Sequence, residues 1–154
     1  MSEHFVRRTM LDASCETAFD LSLDVDFHLA SFSESGEQVV GGVTAGGMNL
    51  GDVVTWRARH FGIWWKMTTK ITEFDRPHRF VDEQIRGPFK SFRHVHTFVQ
   101  TTQTTTEMID VIEFSAPLGV FGKLAERAVL GRYVPRMIDT RNEELKEQTR
   151  RMPS

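Results

Sequence analysis

Apolar and polar residues alternate through the middle of the chain with the two-residue period of a pleated strand, and turn-forming residues interrupt the alternation at regular intervals. Residues 51–62 (GDVVTWRARHFG) and 63–74 (IWWKMTTKITEF) are rich in Val, Trp, Ile and Thr, which suit a half-buried sheet surface. "RPH" then separates the second of these from residues 79–86 (RFVDEQIR), "GPFK" separates that from 91–100 (SFRHVHTFVQ), and "TTQT" separates that from 105–115 (TTEMIDVIEFS). A glycine-rich stretch at 37–47 (EQVVGGVTAGG) precedes the series as a weaker strand. Short connections between consecutive strands predict an antiparallel meander.

The flanks read differently. Residues 3–13 (EHFVRRTMLDA) alternate weakly and lead into "DASCETAFDLSL", where Ser14 can cap a short helix with Glu16 in its first turn and Ala18, Leu21 and Val25 toward the core. "DVDFHLASF" predicts a second short helix, ended by "SESG". After "SAPLG" the period becomes helical: Phe121, Leu124, Ala125, Ala128 and Val129 form one apolar stripe, and Val134, Ile138, Arg141 and Leu145 form a second, out of phase with the first. A bend near Gly131 and Pro135 is the expected join, and the charged "EELKEQTRRMPS" reads as a fraying, solvated end. A long amphipathic helix must bury its stripe, and the face of the meander is the large partner available. The prediction is one α+β domain over residues 1–154, with about seven antiparallel strands in a curved sheet around a long C-terminal helix.

Charge and cysteine content narrow the partners. Nineteen Lys and Arg against 21 Asp and Glu give a net charge of −2, so no basic field gathers nucleic acid. No apolar run reaches the roughly 20 residues of a membrane helix. The first residues lack the apolar segment of a secretory signal, and Cys15 is the single cysteine, so a cytoplasmic protein is expected.

The chemistry concentrates in "RGPFKSFRHVHTF", where Phe92, His94, His96 and Phe98 fall on one face of a strand. If the flanking turns keep the register, the neighbouring strands add Phe80, Asp82 and Gln84 on one side, and Met108, Asp110, Ile112 and Phe114 on the other. A one-residue slip would instead present Val81, Glu83 and Ile85 with Ile109, Val111 and Glu113, a set without the aromatics. The first set is preferred because it groups the large residues and places Asp82 and Asp110 beside His96. Such polar groups need partners, which may be one another, water or a ligand. They read as a structural hydrogen-bond cluster, as ligand-contacting groups of a cavity, or as an acid–base pair with His94 or His96 as base. Two imidazoles at this spacing could also meet a metal, with Asp82, Asp110 or His60 as third ligand, but no second Cys or His cluster supports one, and neither metal nor cofactor is expected.

The order of elements, with "TWRARHFG", "RFVDEQIRGPFKSFRHVHTF" and "DVIEFSAPLG", resembles the helix-grip superfamily, also called START-like or SRPBCC, in its bacterial cyclase-like branch. The resemblance covers essentially the whole chain. It implies a cavity between sheet and helix that binds a lipid, polyketide or aromatic compound, with Phe80, Asp82, Gln84, Phe92, His94, His96, Phe98, Met108, Asp110, Ile112 and Phe114 as candidate contacts. A polyketide cyclase, aromatase or dehydratase is the enzymatic alternative, and a regulatory module meeting partners through its sheet edge is a third. "GGVTAGGMNLG" lacks the Lys-Ser/Thr ending of a phosphate cradle and reads as a bulged edge that gates the cavity.

Overall fold

The computed structural model describes residues 2–60, 62–116 and 130–153. Ser14 starts the first helix as read from sequence: its hydroxyl accepts from the backbone N–H of Thr17 and caps α1 (Cys15–Ser22), which follows strand β1 (Glu3–Leu11). The buried face of α1 includes Phe19, where the sequence pattern had suggested Leu21, and the Phe19 ring meets Phe74, Phe80 and Phe98 edge-on. Asp24 caps α2 (Val25–Ser31) in the same way, through Phe27 N–H.

Six further strands follow: β2 (Gln38–Gly42), β3 (Val53–His60), β4 (Ile63–Asp75), β5 (Arg79–Arg86), β6 (Ser91–Gln100) and β7 (Thr106–Ser115). They form one antiparallel sheet in the order β1-β7-β6-β5-β4-β3-β2. Register shifts between β4 and β5 leave one extra residue on each strand, Ile85 opposite Thr68/Thr69 and Thr72 between Ile71 and Glu73, and bend the sheet across its middle. The glycine-rich stretch is a strand only as far as Gly42, whose φ of 75° admits no side chain, because a Cβ there would lie 1.9 Å from the Val53 carbonyl oxygen.

The C-terminal helix α3 (Gly131–Arg151) contains Pro135 in its second turn. The first predicted stripe, Phe121 to Val129, lies outside the described residues, and with it the near side of the expected bend. The second stripe is buried as its spacing requires: Val134 and Ile138 pack on Ile112 and Phe114, and Leu145 joins Leu11, Phe98 and Met108. The expected fraying of the charged end is corrected, since the helix continues to Arg151 and Thr149 is buried. Arg7 on β1 reaches Asp139 at 2.7 Å and ties the helix to the sheet edge. No helix among the described residues is long and apolar enough to cross a membrane.

Phe114 is fully buried between the sheet and Val134 and Ile138. Phe114→Ala is expected to cost about 3 to 5 kcal/mol in urea unfolding, because α3 is held over the cavity it would leave.

Candidate functional site

The register across β5, β6 and β7 decides the site. Asp82 stands opposite His94, Phe80 opposite His96, and His96 opposite Asp110, so all of these side chains share the face toward α3. The hydrogen bonds run diagonally. His94 Nε2 lies 2.7 Å from Asp110 Oδ1, and His96 Nε2 lies 2.7 Å from Asp82 Oδ2. The two imidazoles stack at 3.7 Å between centroids, and Phe80 covers the other face of His96 at 4.0 Å. His96 Nδ1 is 3.2 Å from Asp110 Oδ1, so His96 has both ring nitrogens engaged.

Helix α3 closes the network. Asn142 Nδ2 donates to Asp110 Oδ2 at 2.8 Å, and the Arg141 guanidinium lies 3.4 Å from Asp110 Oδ1 and 3.5 Å from His96 Nδ1. Asp110 has no exposure at all and Arg141 only 4%. Burial alone would raise the Asp110 carboxyl, but hydrogen bonds from His94 and His96 and the charge of Arg141 outweigh it and hold the group well below the usual carboxylate range. Asp82 is lowered too: burial opposes ionisation there, and the bond from His96 outweighs it. Burial and the adjacent His96 push His94 down to about 4 despite its bond to Asp110. His94 is therefore neutral at pH 7, and its bond to an ionised carboxylate puts the proton on Nε2. Its Nδ1 keeps a free lone pair with no partner among the described residues.

A cavity of about 390 Å³ opens between this cluster, the N-terminal half of α3 and the sheet from β3 to β6. Phe80, Asp82, Phe92, His94 and His96 line it, and the rest of its wall is mainly aromatic and aliphatic. Gln84, Phe98, Met108, Asp110, Ile112 and Phe114 do not line it, which corrects the expectation that the whole face would. The reason is the position of α3. Its stripe and α1 fill the space over β7 and the far end of β6, so Phe98, Met108, Ile112 and Phe114 become solid core. Asp110 lies behind the histidines, and Gln84 is spent on the Phe89 backbone, holding the β5–β6 turn.

Several lining residues were not singled out from sequence. Arg141 had a signal, a charged residue in an apolar helical stripe. His28 with Glu37, 2.7 Å apart, and Tyr133, which hydrogen-bonds His60 Nδ1, come from separate elements with no shared period. His60 is thus bonded to Tyr133 and is not among the donor atoms gathered at the histidine pair it was offered to as a metal ligand; burial lowers its pKa, against the opposing charge of Glu37. Asp82, His94 and His96 do offer one donor atom each within 4.8 Å of one another, but His94 Nε2 and His96 Nε2 are already hydrogen-bonded to Asp110 and Asp82.

A profile described as polyketide cyclase/dehydrase and lipid transport matches residues 2–150. No curated protein matches the sequence. Among solved structures, TTHA0849 from Thermus thermophilus superposes with a TM-score of 0.78 at 15% identity, over 99% of this chain and 100% of that one. The Zhui aromatase/cyclase from Streptomyces sp. R1128 gives 0.78 at 13%, over 98% and 95%. A START superfamily protein from Mycobacterium smegmatis gives 0.71 at 14%, over 94% and 97%. At these identities the likeness is one of fold.

Two measurements check the network. His94 is held below its unfolded value near 6.5, so its contribution to stability is complete above that pH and is lost as pH falls toward about 4. The loss is expected to reach roughly 3 kcal/mol, with His60 adding in the same direction, while the lowered Asp82 and Asp110 act only at more acid pH. Urea unfolding between pH 7 and 4.5 should show it, and His94→Asn should remove most of it. Asp110→Asn leaves the buried Arg141 without its carboxylate and is expected to cost about 3 to 5 kcal/mol. Asp139→Asn, at the exposed pair with Arg7, is expected to cost less than about 1 in the same assay.

Proposed function

The chain belongs to the polyketide cyclase/dehydrase and lipid transport family, and from that premise we propose that it binds a small, largely apolar molecule carrying a few polar groups, in the cavity between sheet and α3. The observation that carries this reading is the cavity itself: about 390 Å³, within the usual range for ligand sites, with an apolar wall and one hydrogen-bonding cluster set into it. The apolar wall supplies the transfer free energy, and His94 Nδ1, Asp82 and Arg141 orient the polar end.

Catalysis of the cyclase or dehydratase kind is the second reading, and the free Nδ1 of His94 favours it. Of the two histidines only His94 has a nitrogen open to a substrate; His96 is committed on both sides. Against that, a base held near pH 4 is far from the pKa that best removes a proton next to a carbonyl at neutral pH. Binding therefore ranks first.

Native mass spectrometry of freshly purified protein is expected to show a non-covalent adduct that organic extraction releases. Protein that runs bare and also fails to enhance the fluorescence of the apolar probe N-phenyl-1-naphthylamine would overturn the reading. Turnover of an extracted compound that disappears in His94→Ala would move the assignment to catalysis.

A further inference from the structure

The lining of the cavity is biased in charge. Among the described residues its wall carries two carboxylates, Glu37 and Asp82, and one guanidinium, Arg141, with Asp110 bonded directly behind. Three carboxylates therefore face one guanidinium. Protons on His28 and His96, each 2.7 Å from a carboxylate, can at most cancel the difference, and His94 and His60 are both shifted toward the neutral form. Among the described residues the lining thus carries no excess of basic over acidic side chains.

Glu37 gives this bias a location. Its side chain is only 6% exposed, and among the described residues only Oε1 of its two carboxylate oxygens has a hydrogen-bond partner, His28 Nε2. Oε2 is not among the fully buried oxygens, so a molecule in the cavity can reach it and supply a donor. Aromatic rings surround the pair: Trp56 lies 4.2 Å from the His28 ring, Phe32 lies 4.8 Å from it, and both line the cavity with Glu37. The place is well separated from the histidine pair. Gln38 pairs with Arg57, so Glu37 lies beside Ala58, whose partner on β4 is Trp65, whereas Asp82 pairs with Ile71, six positions further along that strand. The cavity thus has two polar poles with an apolar stretch between them.

We propose that the ligand is neutral or cationic, an amphipathic amine or alcohol that presents an N–H or O–H donor to Glu37, and that the cavity rejects carboxylates such as free fatty acids. The inference rests on the binding reading above and adds the sign of the ligand's charge. An ammonium gains most, because it meets both a carboxylate and aromatic faces, whereas a carboxylate entering the same space finds the one guanidinium among the described lining residues already engaged by Asp110.

The test is displacement of N-phenyl-1-naphthylamine at pH 7.5 by octylamine, octanol and octanoate, which share one chain length. Octylamine is expected to displace the probe at least roughly tenfold better than octanoate, with octanol between them. In Glu37→Gln, checked for folding by its melting curve, the advantage of octylamine over octanol should fall toward parity. Octanoate competing as well as octylamine in the unaltered protein overturns the proposal, whether or not the variant folds, and so does an amine preference that survives in Glu37→Gln. Failure of the probe to bind protein that also runs bare in native mass spectrometry removes the binding reading itself, a result distinct from a wrong order of competitors.

Discussion

Asp110 is a carboxylate with no exposure, set in the middle of strand β7 and facing a helix. Such a group persists only where donors surround it, and four side chains do so: His94 and His96 from β6, and Arg141 and Asn142 from α3. Each of these is fixed in turn. The bond to Asp110 sets the tautomer of His94 and leaves Nδ1 open. Arg141 is drawn down into the interior, where an arginine in an otherwise apolar stripe would have no other reason to be. The depth and rotation of α3 on the sheet follow from the same contacts.

The position of α3 also explains why there is a cavity. The helix is held over β7 by Asp110 and over the β1 edge by the Arg7–Asp139 pair, and beneath it Ile112, Phe114, Val134 and Ile138 fill the space. The sheet bends away at the bulges between β4 and β5, and α1 and α2 cover only part of what the helix leaves. A sheet face of uniform hydrophobicity is thus divided into a packed half and an open half. Apolar side chains on the open half keep contact atoms on one side only, which makes that half receptive to a ligand of matching shape.

Much of this was legible in the sequence. The turn residues between 76 and 104 set strand order, and the grouping of Phe80, Phe92, Phe98 and Phe114 was enough to choose the register that puts Asp82, His94, His96 and Asp110 on one face. The division of that face was not legible. Period two says which side a residue points to, and is silent on whether a helix lies above it; that depended on Asp110, whose partners in α3 are 31 and 32 residues away. Arg141 showed itself as an irregularity in the helical stripe, but Asn142, next to it, did not. The outer pole was invisible for a simpler reason. His28, Glu37, His60 and Tyr133 come from four places in the chain and meet only because the sheet curls.

The two poles bear on the choice between holding a molecule and transforming it. In the binding mode proposed above, an apolar middle and the Glu37 carboxylate at one end would fix orientation and affinity, but they would act equally on a ligand at rest and on one reacting, and uniform binding does not lower a barrier. Acceleration needs a group that gains strength as charge develops. Of the His94–His96 pair, His94 Nδ1 is the nitrogen open to do that, and burial has already weakened it as a base. A ligand that excluded further water from His94 would weaken it more, since desolvation is the leading cause of its shift. The same network that holds α3 in place therefore supports the proposed binding over catalysis.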